Sequence, residues 1–373
     1  MDGVGMVTRQ YATWLNRKYG KGVAVTVHMP DYTTDDPDGP EVLRVSSVPI
    51  PGMPPYRAPV PAFSPAVRKR LSQIPFDVVH AHAPFVLGRL ARRIARERGI
   101  PLVTTFHSKY RDDFEKALPT EGMRNAAMRY ILKFYESVDM VWVPNQATVE
   151  TIREYGYEGP VEVMYNGTDL ELPADLGGYR ERGAELAGLT DDRPMLLYIG
   201  QHRWEKNLRL MLESLTILKE QHPRFAMVFV GQGYAEKELH ALVVKRGLSG
   251  HVRFLGVIRD REAIKQLYAR ASIFLFPSQY DTSPLTLREA AAFHVPTLLV
   301  SGASATEGIT HGENGLIASD TPEGYADAIV SALSSGTLLE KVGSGAYDTL
   351  FRTWEQVADE VHDRYQQLIQ RRS

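Results

Sequence analysis

The chain has 373 residues, 43% of them apolar and 24% charged, with a net charge of −2 and no cysteine. Its length suggests two or three domains, and its near-neutral charge argues against a disordered or nucleic-acid-coating protein. Disulfides and thiolate metal sites are excluded, and no apolar run approaches the ~18 residues that would mark a membrane span. Met1-Asp2-Gly3-Val4-Gly5 lacks the charged start and apolar stretch of a signal peptide, so a soluble cytoplasmic enzyme is the expected class.

Gly3-Val4-Gly5 resembles the turn after a strand, yet no strand precedes it, and Val4, Val7, Tyr11 and Leu15 already follow helical spacing. A first strand of roughly ten residues is therefore expected to be missing from the chain. Residues 23–27, 76–80, 102–106 and 140–143 read as buried strands. Between them, 87–98 reads as a helix with Leu90, Ala91, Ile94 and Ala95 on one face. Residues 48–62 hold six prolines and read as an irregular surface loop. Between this series of strands and the next, a polar, Gly-containing stretch from about Leu170 to Arg193 is taken as a linker.

The alternation then starts again, with strands at 195–199, 226–230, 252–255, 273–276 and 297–300. Trp354, Val357, Val361, Tyr365 and Leu368 then predict a last amphipathic helix. Alternating strands and helices imply an α/β chain of two doubly wound, Rossmann-like domains facing across a cleft. The expected boundaries are residues 1–170 for the first domain, 171–193 for the linker and 194–350 for the second domain. The helix of 351–373 is expected to return to the first domain.

Two clusters carry chemistry. Ser278-Gln279-Tyr280-Asp281-Thr282-Ser283-Pro284-Leu285 leads into a helix containing Glu289, so two acids lie eight residues apart. Asp281 should fall at the carboxyl end of a strand, where open α/β sheets bind ligands, and Glu289 could accept from a ribose diol. Acids on helices are otherwise solvated. In Gly200-Gln201-His202-Arg203-Trp204-Glu205-Lys206, a strand ends in Gly and two cations reach the start of a helix. That arrangement suits a diphosphate, although the Walker spacing is absent, and a solvated surface loop would read the same way.

With Gly231-Gln232-Gly233, Phe254-Leu255-Gly256-Val257 and Glu307 before Asn314-Gly315-Leu316, these clusters resemble the family 4 retaining glycosyltransferases of the GT-B fold. In the first half the likeness includes Asp2-Gly3-Val4, Val78-Val79-His80-Ala81-His82, Thr105-Phe106-His107-Ser108 and Asn166-Gly167-Thr168-Asp169. The resemblance covers nearly the whole chain and implies transfer of a hexose from a UDP- or GDP-hexose to a lipid or glycan hydroxyl. It implies that Lys206 and Arg203 neutralise the diphosphate, that Glu289 holds the ribose, and that Gly200 and Gly3 admit the phosphates. Gly256 and Val257 would seat the base. Asp281, Thr282, Ser283 and Leu285 would meet the sugar, and His107 would face it from the first domain. Same-face attack assisted by the donor phosphate, without a metal or other cofactor, is the mechanism the resemblance implies.

Three positions depart from the family pattern. Gln201 stands where an Arg is usual, Asp281 where a Glu is usual, and Pro284 where a Gly is usual. They fall on sugar and phosphate contacts, so the donor is not carried over from any relative, and a catalytically silent GT-B subunit is the alternative reading. A nucleotide-sugar epimerase or a phosphorylase is a third. His80 and His82 share a strand face but lack an evident third metal ligand, and Asp36-Pro37-Asp38 reads as a solvated turn. The five arginines from Arg89 to Arg98, with Arg124, Arg129 and Lys133, either favour an anionic membrane at the inner face or are solvated helix faces.

Overall fold

The structure is a computed structural model that describes residues 3–20, 22–29, 39–50 and 57–372. The chain divides into unit 1, comprising residues 1–166 and 354–373, and unit 2, residues 167–353. Asp36-Pro37-Asp38 and Asp2 lie outside the described residues.

Unit 1 runs α1 (Gly3–Tyr19), β1 (Val23–Val27), β2 (Glu41–Val45), β3 (Ser47–Pro49), β4 (Arg57–Pro59), α2 (Pro65–Gln73) and β5 (Val79–Ala81). It continues with α3 (Val86–Arg98), β6 (Leu102–Thr105), α4 (Tyr110–Ala117), α5 (Glu121–Tyr135), β7 (Met140–Val143), α6 (Gln146–Glu154) and β8 (Val161–Val163). Strands β5-β6-β7-β8 form a parallel sheet, and β1 and β2 form a separate parallel pair. β3 and β4 are an antiparallel hairpin, so the proline-rich stretch is not irregular throughout. Pro49 and Pro59 end the two strands of this pair, a position where prolines are tolerated. β6 and β7 are buried along their whole length, as parallel strands covered on both faces must be.

Unit 2 runs α7 (Leu176–Leu186), β9 (Met195–Ile199), α8 (Leu208–Gln221), β10 (Ala226–Val230), α9 (Glu236–Lys245), β11 (Val252–Phe254) and α10 (Arg261–Arg270). Then come β12 (Ile273–Phe276), α11 (Leu285–Ala292), β13 (Thr297–Val300), β14 (Leu316–Ala318), α12 (Pro322–Leu333) and α13 (Gly336–Leu350). The final helix, α14 (Trp354–Arg372), belongs to unit 1. There Trp354, Val357, Val361 and Tyr365 are buried, Tyr365 stacks on Trp142, and Asp359 accepts from Lys18 at 2.7 Å.

The unit 2 sheet is wholly parallel, in the order β11-β10-β9-β12-β13-β14. Side chains alternate faces along each strand. Leu196, Tyr198, Met227 and Phe229 therefore enter one core with α8, α9 and α12. Met195, Leu197, Val228 and Val230 enter the other, with α10 and α11. The strand order reverses between β9 and β12, which makes their carboxyl ends the switch point where such sheets bind ligands.

The stretch expected to be a linker instead carries α7, packed on α10. Gly183 explains why local pattern missed it: a Cβ there would stand 2.1 Å from the Gln266 carbonyl oxygen, so the contact is made by backbone rather than by an apolar stripe. The Gly231-Gln232-Gly233 turn is similarly tight. Gly231 has φ +131°, and a Cβ would lie 1.9 Å from the Gly200 carbonyl oxygen. Gly231→Ala is expected to destabilise unit 2 by about 2 kcal/mol, measured by urea unfolding. An unchanged midpoint would show that the two loops are free to move apart.

Candidate active site

The loop after β9 is built to hold its backbone still. Gly200 N–H donates to the Val230 carbonyl at 3.0 Å, and the Tyr198 hydroxyl donates to the Gln201 carbonyl at 3.0 Å. A single 3-10 turn, Trp204–Lys206, follows, and Asn207 takes a left-handed conformation before α8 begins. This geometry carries Lys206 across the switch point to the loop after β12. There its ammonium donates to Asp281 Oδ1 at 2.5 Å, joining residues 75 apart in sequence. Both side chains are largely buried.

The second carboxylate oxygen of Asp281 is buried and has no hydrogen-bond partner among the described residues, and the same holds for Arg203 Nε. Unpartnered buried polar atoms are costly, and here they mark groups able to bind a polar ligand. Arg203 otherwise lies 3.5 Å from Glu205, whose other oxygen accepts from the Tyr234 hydroxyl at 2.5 Å. Both cations of the loop thus face a carboxylate.

Glu289 is in α11 and only 8% exposed. Its Oε1 accepts from Arg261 Nη2 at 2.7 Å and its Oε2 from the Tyr268 hydroxyl at 3.0 Å. Asp260 caps α10 by accepting from the Glu262 amide at 2.9 Å, which makes Arg261 the first helical residue. Tyr268 lies seven residues on, on the same face. Burial, then Glu289, push the Tyr268 hydroxyl well above its usual range, so it stays a neutral donor. Sequence reasoning missed both partners; the i, i+7 spacing of an Arg and a Tyr on one helix was the available signal.

Gly256 has φ +66° and accepts from the Gly231 amide at 2.8 Å, leaving Val257 half exposed beside the same strand ends. Thr282 and Ser283 follow Asp281 in the loop. Pro284 closes the loop before Leu285 opens α11, and it supplies no amide there.

In unit 1, His107 follows β6 and its Nε2 lies 3.0 Å from His82 Nδ1. His82 stacks on His80, whose two nitrogens meet Tyr365 and Thr105 at 2.6 and 2.7 Å. Among the described residues no group of three His, Cys, Asp or Glu is placed to hold a metal ion. Gly3 heads α1, and a Cβ there would meet nothing within 4 Å.

Burial lowers His107 to about 4, and burial with the neighbouring His107 lowers His80 to about 3. The folded chain therefore binds fewer protons than the unfolded chain below pH ~6.5, and stability falls as pH drops through that value. Each histidine should contribute up to about 1.4 kcal/mol per pH unit between 6.5 and 4. Urea midpoints at pH 7, 6 and 5 test this, and equal midpoints would contradict it.

Unit 2 is a doubly wound α/β module by its strand order, with polar groups gathered at its switch point, and comparison identifies the chain. Residues 184–349 match the model of glycosyl transferases group 1, and residues 1–172 match that of glycosyltransferase family 4. The chain is a glycosyltransferase of family 4 with the GT-B fold. It is 23% identical over 382 residues to the GDP-mannose-dependent alpha-mannosyltransferase of Mycolicibacterium smegmatis, covering 100% of this chain and 96% of that one. It is 25% identical to the alpha-monoglucosyldiacylglycerol synthase of Streptococcus pneumoniae, covering 80% and 68%. Among solved structures, Anabaena HepE in complex with UDP and glucose superposes with a TM-score of 0.75 at 16% identity, covering 98% and 96%. The sucrose-phosphate synthase of Thermosynechococcus elongatus does so at 0.78 and 19%, covering 99% and 94%.

Proposed function

We propose that this glycosyltransferase moves a hexose, with retention, from a UDP- or GDP-hexose to a hydroxyl of a lipid or glycan acceptor. The observation that carries the reading is the meeting of Lys206 and Asp281 at the β9–β12 switch point, with Glu289 in the helix that follows. Lys206 and Arg203 stabilise the charge that develops on the leaving diphosphate. Glu289 accepts from the ribose hydroxyls, and Gly256 and Val257 seat the base. Asp281, Thr282, Ser283 and Leu285 meet the sugar. His107 contacts the transferred sugar, and Gly200 and Gly3 give the phosphates close backbone approach.

Donor screening tests this by thermal shift and slow hydrolysis with UDP- and GDP-hexoses. One donor should raise the melting temperature and be hydrolysed, with both effects lost in Lys206→Ala. Binding without turnover over a broad acceptor set would favour the silent subunit, and no binding would remove the site assignment. Transfer is proposed to be metal-independent, so EDTA should leave its rate unchanged; a loss restored by a divalent cation would overturn that.

Asp281→Asn separates the two roles of the ion pair. It releases Lys206 for the diphosphate, so nucleoside diphosphate should bind several-fold more tightly while hexose transfer falls at least about 10-fold. Weaker nucleotide binding would place Asp281 on the nucleotide instead.

A membrane-bound acceptor is favoured by one surface of unit 1. Phe85, Val86, Met123 and Tyr130 are exposed there, and the Arg89 guanidinium lies over the Tyr130 ring at 4.3 Å. Arg92, Arg93, Arg96, Arg129 and Lys133 are exposed on the same two helices. No described helix is long and apolar enough to cross a membrane. Peripheral contact predicts sedimentation with anionic but not neutral vesicles.

A further inference from the structure

We propose that Arg261, anchored by Asp169, is a positioning residue that sets the Glu289 carboxylate for the two ribose hydroxyls of the donor; this rests on the ribose role given to Glu289 above. A carboxylate offers about four lone-pair sites, and a vicinal diol needs two of them, one on each oxygen, held in a fixed plane. In unit 2 one site on each oxygen is already taken by protein. Arg261 Nη2 holds Oε1 at 2.7 Å and the Tyr268 hydroxyl holds Oε2 at 3.0 Å. Each oxygen keeps capacity for one further donor, and the carboxylate cannot pivot without losing both bonds.

Arg261 is itself fixed from the other side. Its Nη2 and Nε donate to the two oxygens of Asp169 at 2.5 and 3.1 Å. Asp169 stands on a pinned backbone, because the Thr168 amide donates to the Arg352 carbonyl at 2.8 Å and the Leu170 amide to the Thr168 hydroxyl at 3.0 Å. Burial disfavours the guanidinium charge, but Glu289 and Asp169 more than offset it, so Arg261 stays charged. Nη2 bridges the two carboxylates while Nε makes the second bond to Asp169 and fixes the plane of the head, and a lysine of similar reach would lack that second bond.

A plain structural staple between α10 and α11 would use the same ion pair, so the test must read ribose recognition itself. The probes are UDP and GDP with their 2′-deoxy counterparts, titrated by calorimetry against the full chain, Arg261→Gln, Arg261→Lys and Asp169→Asn. Melting temperatures are recorded for each. The wild-type chain should prefer the ribonucleotide at least about 10-fold, the effect of one hydrogen bond to a charged acceptor. Arg261→Gln should cut that preference below threefold, and Arg261→Lys and Asp169→Asn should fall between. A folded Arg261→Gln chain that keeps the full preference overturns the proposal while leaving Glu289 as the ribose acceptor. If that variant does not fold, full preference in folded Asp169→Asn overturns it equally. A wild-type chain that binds both sugars alike, or binds neither nucleotide, removes the ribose reading and this proposal with it.

Discussion

Lys206→Ala is expected to lower hexose transfer by at least about 100-fold, the cost of removing one preorganised charge-stabilising donor from an enzyme site. Lys206 is largely buried, sits at the end of a loop whose backbone is bonded at Gly200 and Gln201, and reaches the switch point of the sheet. It contributes in the transition state because charge on the leaving diphosphate grows there, so kcat should fall more than KM rises. Removing it also strands Asp281, whose Oδ2 already lacks a partner among the described residues. A double variant separates the two effects. If Lys206 served only to neutralise Asp281, then adding Asp281→Asn to Lys206→Ala would raise activity to the level of Asp281→Asn alone. We expect the double variant to remain at least as slow as Lys206→Ala. A loss under threefold in Lys206→Ala would remove Lys206 from the mechanism.

Glu289→Ala is the second large expected effect, about 1.5–3 kcal/mol of nucleotide binding, or roughly 10- to 150-fold in Kd. Glu289 is nearly inaccessible, and its present bonds come from Arg261 and Tyr268, two groups that would both lose their acceptor. The variant should therefore also lower the melting temperature, and calorimetry with UDP and GDP is the measurement that isolates binding. Glu289→Gln keeps the size of the side chain but places an NH2 group against one of two donors, so it should bind almost as weakly as the alanine variant. A Kd within threefold of wild type for either variant would assign Glu289 to the fold alone.

Much of the candidate site was legible because its residues lie in loops directly after strands. Gly200 ends a run that is apolar on both faces, and Asp281 follows another, so their placement at strand ends needed only the local pattern. The helix within residues 171–193 was not legible because α7 meets α10 at Gly183, a contact of backbone, with Leu176 and Tyr179 reaching the core. β14 was missed because it has three residues and too little pattern to count. The hairpin at β3 and β4 was hidden by its prolines, which edge strands tolerate.

The sequence by itself determined the alternation of strands and helices, the two halves of the chain, the turns that carry Lys206, Asp281 and His107, and the helix that carries Glu289. Periodicity and turn residues are properties of neighbours along the chain, and they survive without a partner. Tertiary structure decided that β9 lies beside β12, and hence that Lys206 meets Asp281 across 75 residues. It also decided that Arg261 and Tyr268 hold Glu289, and that Asp169, 92 residues from Arg261, completes that network. Such contacts depend on the order of strands in a sheet and on which helix faces meet, and those are set by burial of the whole core rather than by any local run of residues.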